Sequence, residues 1–367
     1  MNDALARLRL SRTEGIGPAT FRRLLARHGT ARAALAALPA HAARSGRSFA
    51  APPEAVAERE MAAVARMGGS FLFLDDPLYP PLLALLEDAP PALAVLGDPS
   101  VLKRRQVGVV GARAASAGGR RVAEELAAGL CAGGIAVTSG LARGIDAAAH
   151  LGALGAGGRT VAVVAGGLDQ PYPPEHAALQ ARIAQEGGVV VAEAPLGTAP
   201  LARHFPRRNR IVAGLVLGLV VVEAALRSGS LITARLALEA GRELFAVPGS
   251  PLDPRARGGN DLIRQGAHLV ETAEDVFASL PAQPLDLPLF NLRERRDLPA
   301  EPLPEAESPS ESTAQLLELI GTTPVAVDDL VRRCHLSAPS VQALLLDLEL
   351  SGLVETLPGN RVVRSSG

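Results

Sequence analysis

Residues 106–113 read Gln-Val-Gly-Val-Val-Gly-Ala-Arg. Five residues of strand-forming character end in small residues, and a helical pattern follows through Leu130. The same rhythm recurs downstream. Ala136-Val137-Thr138, Thr160 to Ala165, Val189 to Ala192, Leu215 to Val222 and Glu243 to Val247 are apolar runs, most of them closed by Gly or Ser and followed by a helical stretch. Continuous apolar strands alternating with helices predict a parallel sheet covered on both faces. The apolar run Ile211 to Val222 is too short for a membrane span, which needs roughly 20 residues. It reads as a buried strand.

Outward from this core the composition changes. Residues 1–70 read as short helices, with a tight Gly15-Ile16-Gly17-Pro18 turn opening onto Thr20 to Leu25, the outline of a helix-hairpin-helix of the SAM-like group. Residues 71–280 hold the α/β rhythm, entered through proline-punctuated pieces in which Phe71 to Leu74 and Ala92 to Leu96 are strand candidates. Residues 281–311, rich in Pro, Glu and Ser, read as a linker. Residues 312–367 carry three helical patterns, near 314–320, 327–334 and 338–350, then a strand pair turning at Pro358-Gly359-Asn360, a winged-helix outline.

The totals exclude several classes. The chain has 367 residues, 48% apolar, so it can bury a core. Two cysteines, Cys131 and Cys334, give neither a disulfide framework nor a metal knuckle, and no secretion signal is seen, so a cytoplasmic location is expected. The net charge of −1 conceals basic blocks. Residues 1–70 hold 11 Arg against 5 acids, and residues 101–280 hold 19 bases against 15 acids. Those blocks are the candidates to meet a polyanion.

Four loops with small residues fall at strand carboxyl ends: Gly111, Gly140, Gly166-Gly167 and Ser228-Gly229-Ser230. Such loops lead into helix N-termini, where backbone N–H groups favour an anion. The dinucleotide and P-loop signatures are absent. Gly108-Val-Val-Gly111 continues as Ala-Arg-Ala, and Lys103, the only lysine, lies outside any P-loop string. No cofactor and no metal are expected. The string Arg203-His-Phe205-Pro-Arg207-Arg-Asn209-Arg210 sets four arginines around one aromatic. Pro206 predicts a kinked loop from which these side chains splay. Guanidiniums meet phosphates while an aromatic stacks on an unpaired base, so the mixture favours single-stranded nucleic acid. The competing reading is a solvated basic loop, or Arg208 and Arg210 paired with internal carboxylates. Asp146 and His150, four apart on one helix, could be a base and its orienter, but a local structural role fits better, and Cys334-His335 point apart. No nucleophile–base–acid set emerges.

Six ordered strings are similar to the DNA-processing protein A (DprA/Smf) family. They are Val109-Val-Gly-Ala-Arg113, Ser139-Gly-Leu-Ala-Arg143-Gly-Ile-Asp-Ala-Ala-Ala-His150, Val163-Val-Ala-Gly-Gly-Leu-Asp-Gln-Pro-Tyr-Pro173, Phe205-Pro-Arg-Arg-Asn-Arg-Ile-Val-Ala-Gly214, Ser228-Gly-Ser-Leu-Ile-Thr-Ala-Arg235 and Ala246-Val-Pro-Gly249. The resemblance implies an extended Rossmann-like domain with a parallel or mixed sheet, flanked by the SAM-like and winged-helix domains. It implies a non-catalytic protein that binds incoming single-stranded DNA in natural transformation and recombination, protects it, forms a homodimer and loads the recombinase RecA. Arg113, Phe205, Arg207, Asn209, Arg210 and the Ser228–Ser230 loop would then line the strand-binding pocket. Gly111, Gly140, Arg143, Gly166, Gly167 and Arg203 complete the candidate site, and Leu262, Ile263 and Leu269 are candidates for the dimer surface. Ala112 and Ala165 are mild departures from the family pattern.

Two rival readings fit the residues less well. A nucleotide hydrolase of the lysine-decarboxylase-like family would carry PGGxGTxxE, but aligning its Thr on Thr233 puts Leu236 where the Glu belongs. A transcription regulator would read DNA with the helix Ala338–Leu350. That helix has no Lys or Arg and carries Asp347 and Glu349, so protein contact or accessory packing is the better expectation.

Overall fold

The β-branched runs build one sheet. In the computed structural model, which describes residues 2–45, 49–280, 309–321, 323–334, 336–357 and 359–365, the chain opens with four helices, α1 (Asp3–Ser11), α2 (Pro18–His28), α3 (Ala31–Ser45) and α4 (Glu54–Arg66). There follow β1 (Gly69–Phe73), α5 (Pro81–Ala84), β2 (Ala92–Gly97), β3 (Gln106–Gly111), α6 (Ala117–Ala132), β4 (Ala136–Ser139), α7 (Ile145–Gly155) and β5 (Thr160–Val164). The α/β part continues through α8 (Ala177–Gln185), β6 (Val189–Ala192), α9 (His204–Leu215), β7 (Gly218–Val222), α10 (Gly229–Glu239), β8 (Glu243–Ala246), α11 (Arg257–Arg264), β9 (His268–Leu269) and α12 (Ala273–Ser279). Last come α13 (Pro309–Leu319), β10 (Val325–Ala326), α14 (Val327–Cys334), α15 (Ala338–Leu350), β11 (Val354–Leu357) and β12 (Arg361–Arg364).

The described residues fall into two compact units, one within 59–280 and the other within 2–58 and 309–365. In the first, the strand order is β1-β2-β6-β5-β4-β3-β7-β8-β9. The pairs from β6 through β9 are parallel. β2 joins β6 antiparallel and β1 joins β2 antiparallel, so the sheet is mixed and Rossmann-like. Strand side chains alternate between faces. Val161, Val163, Val189 and Val191 enter one core, while Ala162, Val164, Val190 and Ala192 enter the other. Both faces are covered, which is why these strands show no polar alternation.

Two expectations are corrected here. Ile211 to Val222 is not one strand. Ile211–Leu215 closes α9, and β7 begins only at Gly218. Ile211, Val212, Ala213 and Leu215 pack into the same core as Leu219 and Val221. When helix end and strand are both buried, the apolar pattern carries no period to separate them. Nor does Pro206 break a helix. It sits in the first turn of α9, where backbone N–H groups have no intrahelical acceptor, so nothing is lost by its missing donor. The Arg203–Arg210 segment is therefore mostly helical rather than a splayed loop.

The second unit contains the N-terminal helices and the winged helix. α1 to α3 close over Ala6, Leu10, Phe21, Leu24 and Leu38. α13, α14 and α15 pack Leu316, Leu330, Val341, Leu345 and Leu348 beneath a three-stranded sheet of order β10-β12-β11. The linker expected over 281–311 lies almost wholly outside the described residues, as do His335 and Pro358.

Candidate functional site

The carboxyl ends of β3, β4, β5, β6, β7 and β8 share one edge of the sheet, because those strands run parallel. The four small-residue loops all lie there. Most of their glycines are required by the protein's own packing. A side chain at Gly111 would run into the Val222 carbonyl oxygen and Ile145, and one at Gly140 into the Arg208 guanidinium. Gly166 and Gly167 face the Thr198 and Pro195 carbonyl oxygens at 2.7 and 2.6 Å from where a Cβ would stand. Gly229 differs, since a Cβ there meets nothing within 4 Å.

Carboxylates of the chain occupy several of the N–H groups a phosphate would use. Glu223 sits at the N-terminus of α6, accepting from the Ser116 N–H at 2.9 Å and from the Ser116 hydroxyl. It fills the spot where a dinucleotide phosphate would rest in an ordinary first βα turn. Asp146, 6% exposed, accepts from the Gly140 and Ala142 N–H groups at 3.1 and 3.3 Å. Asp169 accepts the Gly197 N–H through both oxygens, each at 2.9 Å. The expectation that all four loops cradle anions is thus narrowed. The N-terminus of α10 at Ser228–Ser230 is met by no carboxylate among the described residues. Ser228 caps it, and the Ser228 and Ser230 hydroxyl oxygens lie 2.6 Å apart.

The arginines divide the same way. Arg208, 6% exposed, donates from Nη1 to the Val163 carbonyl at 2.8 Å. Burial pushes its pKa down, and Asp146 pulls it back up. Burial correspondingly raises Asp146, against the pull of Arg208. Arg210 donates to the Asp88 carbonyl at 2.6 Å and to Glu193 at 2.6 Å, with the Asp88 carboxylate 3.3 Å from Nε. The competing sequence reading, pairing with internal carboxylates, therefore holds for Arg210, while the buried Arg208 is held by a backbone carbonyl and feels Asp146 without an ion-pair contact. Arg143 is exposed but pairs with Glu175. Arg207 is 65% exposed and 3.5 Å from Glu193, and exposed Arg203 has no ion-pair partner among the described residues.

The exposed Arg113 projects from the loop after β3. Its guanidinium carbon stands 4.8 Å from the centre of the Phe205 ring, with that of Arg208 at 6.0 Å. The Arg113 loop is fixed by the Ile145 N–H, which donates to the Ala112 carbonyl at 3.2 Å. Gly144 permits this approach, since its φ is +77° and a Cβ would strike the Ala112 and Arg113 carbonyls. Tyr172 meets Phe205 edge-on with centroids 5.5 Å apart. Tyr172, within the Val163–Pro173 string, is a residue of the candidate site that the sequence pattern does not single out. Its neighbouring prolines were the available signal.

Of the expected site, Arg113 and Phe205 come together, with Arg203 and Arg207 exposed at the start of α9. Half-buried Asn209 lies on the same helix and Ser228–Ser230 on the same sheet edge. The edge strand β9 and the adjoining α11 carry the dimer candidates. Leu269 is 51% exposed, Leu262 leans on the core, and Ile263 is half-buried. Asp146 and His150 do not work as a pair. His150 is held by Thr160 at 2.7 Å.

A Rossmann-like domain with an arginine–aromatic cluster at its strand ends, flanked by a helix-hairpin-helix domain and a winged helix, is the architecture of a nucleic-acid-processing protein. The match to the DNA recombination-mediator protein A model spans residues 70–281, and the chain belongs to that family. Its N-terminal helix-hairpin-helix domain matches over residues 1–63 and its winged-helix domain over residues 299–360. Protein Smf of Escherichia coli is 42% identical over 290 residues, 78% of this chain and 75% of its own length. The solved DNA processing protein A of Streptococcus pneumoniae superposes with a TM-score of 0.65 at 34% identity, over 77% of this chain and 99% of that one. DNA processing protein A of Helicobacter pylori, known for a unique single-stranded DNA binding mode, superposes with a TM-score of 0.52 at 28% identity, over 57% of this chain and 94% of that one. No helix among the described residues is long and apolar enough to cross a membrane.

Proposed function

We propose that this protein binds single-stranded DNA at the carboxyl edge of its sheet, without catalysing a reaction on it. The observation that carries the reading is the Arg113–Phe205 contact at 4.8 Å, with Arg203 and Arg207 exposed on the same helix as Phe205. A base that has left the duplex has a free face to lay on Phe205 or a guanidinium plane, and its phosphates meet arginine. A paired base offers no such face. The single-strand binding of the H. pylori relative supports the same choice.

The pocket in this reading is formed by Arg113, Arg203, Phe205, Arg207, Asn209 and the N-terminus of α10 at Ser228–Ser230. Gly111, Gly140, Gly166 and Gly167 shape its floor, Arg143 borders it, and Arg210 braces it from below. The protein would act in the cytoplasm as a homodimer through Leu262, Ile263 and Leu269, shielding incoming strands and passing them to RecA. Family membership supports that role.

Photo-crosslinking tests the placement. A bromodeoxyuridine-substituted single strand, irradiated with the full-length protein, should crosslink to Phe205 or Tyr172. Crosslinks confined to residues 1–58 or 309–365 would overturn it.

A further inference from the structure

Within the unit formed by the N-terminal helices and the winged helix, α15 lies against α2 and α3. Its own domain's core takes Val341, Leu345 and Leu348. Leu346, 1% exposed, points the other way and is buried among Leu10, Phe21, Leu24 and Leu38 of the N-terminal helices. Charges follow the apolar contact. Arg27 donates from Nη1 to Asp347 at 2.9 Å, and Arg23 pairs with Glu349. Arg23 also donates to the Thr356 hydroxyl at 3.3 Å on β11, and His41 Nδ1 lies 3.7 Å from Asp347.

A winged helix can read a groove only with the face of its third helix turned away from its own core. Here that face is the covered one. The N-terminal block holds 11 of the chain's arginines, yet two on α2 are spent on the two acids of α15. We propose that α2 and α15 form a self-masking interface, in which Asp347 and Glu349 stand where the phosphates of a nucleic acid would otherwise meet Arg23 and Arg27. Opening it adds those two arginines to the protein's contacts with a single strand. Ion pairs of this partial exposure are weak and salt-screened, so a polyanion at high local concentration competes with them. The nucleic-acid part rests on the proposed function above. The interface itself does not.

The test uses four full-length proteins: wild type, D347N/E349Q, R23Q/R27Q and the quadruple variant. Hydrogen–deuterium exchange reports the interface directly. D347N/E349Q should speed exchange in residues 18–28 and 338–350, and unchanged protection in both would overturn the interface. Fluorescence anisotropy with a labelled oligo-dT strand at low salt reports the masking. D347N/E349Q should gain about tenfold in affinity, two more phosphate contacts' worth. The gain should vanish in the quadruple variant. No gain, or a gain that survives loss of both arginines, would overturn the masking. If wild type fails to bind the strand at any salt, the function proposed above fails, and the exchange data still decide the interface.

Discussion

The Arg113 guanidinium carbon and the Phe205 ring centre lie 4.8 Å apart, although 92 positions separate them in the chain. The contact joins the loop after β3 to the first turn of α9. It holds a cation and an aromatic face in one place. Base–aromatic stacking is worth about 1–3 kcal/mol per base. Phe205→Ala should therefore weaken oligo-dT binding by about tenfold or more, while Phe205→Trp should retain it. Equal affinity for Phe205→Ala, measured by anisotropy, would remove the stacking role.

Arg210 behaves differently from its neighbours. Its guanidinium is spent on Asp88 and Glu193. Arg210→Ala removes the guanidinium shared by Asp88 and Glu193, leaves Glu193 its longer contact with Arg207, and should lower stability by about 1–3 kcal/mol. That appears as a drop in melting temperature, with any loss of strand affinity following unfolding. A normal melting curve with lost binding would place Arg210 in direct contact with DNA.

The Arg208 guanidinium packs against Gly140 while the Asp146 carboxylate accepts the Gly140 N–H, and each charge favours the other in the interior. Removing one charge strands the other in the interior, at a cost of about 3–5 kcal/mol. Arg208→Met should unfold the domain at lower denaturant concentration. The double variant Arg208→Met with Asp146→Asn should recover part of the loss. Strict additivity in urea unfolding would show that the two do not act together.

His150 gives a pH signature. The Thr160 hydroxyl donates to the Val137 carbonyl at 2.7 Å, so Nδ1 of His150 must supply the proton in the bond between them. Burial pushes this histidine from 6.5 down to about 3. Between those values the unfolded chain binds a proton that the folded one refuses, so stability falls as pH is lowered. The slope approaches about 1.4 kcal/mol per pH unit. His150→Gln should flatten the urea-midpoint profile between about pH 5 and 6.5. An unchanged slope would contradict the assignment.

The parallel sheet was legible because strands covered on both faces need unbroken apolar runs, and β3 to β8 supply them. The winged helix was legible from three helical patterns and a turn. The helical start of α9 was hidden by Pro206, whose cost disappears in a first turn. The fate of each arginine was also hidden. Arg207 and Arg210 look alike in sequence, and only the fold seats one between Glu193 and Asp88 and leaves the other 65% exposed, 3.5 Å from Glu193. The same holds for Arg27, whose partner Asp347 is 320 residues away. The glycine loops were found at the correct edge, but Glu223 and Asp146 had already taken the anion's place in two of them.

The central claim is that a single strand lies across Arg113, Phe205 and Arg207. A salt titration of oligo-dT binding tests it most directly, comparing wild type with the Arg113→Ala, Arg207→Ala double variant. Each lost phosphate contact removes about 0.7 from the slope of log affinity against log salt for a single strand. The double variant should show a slope shallower by about 1.4, weaker affinity at low salt and an unchanged melting temperature. A slope and affinity equal to wild type would contradict the site.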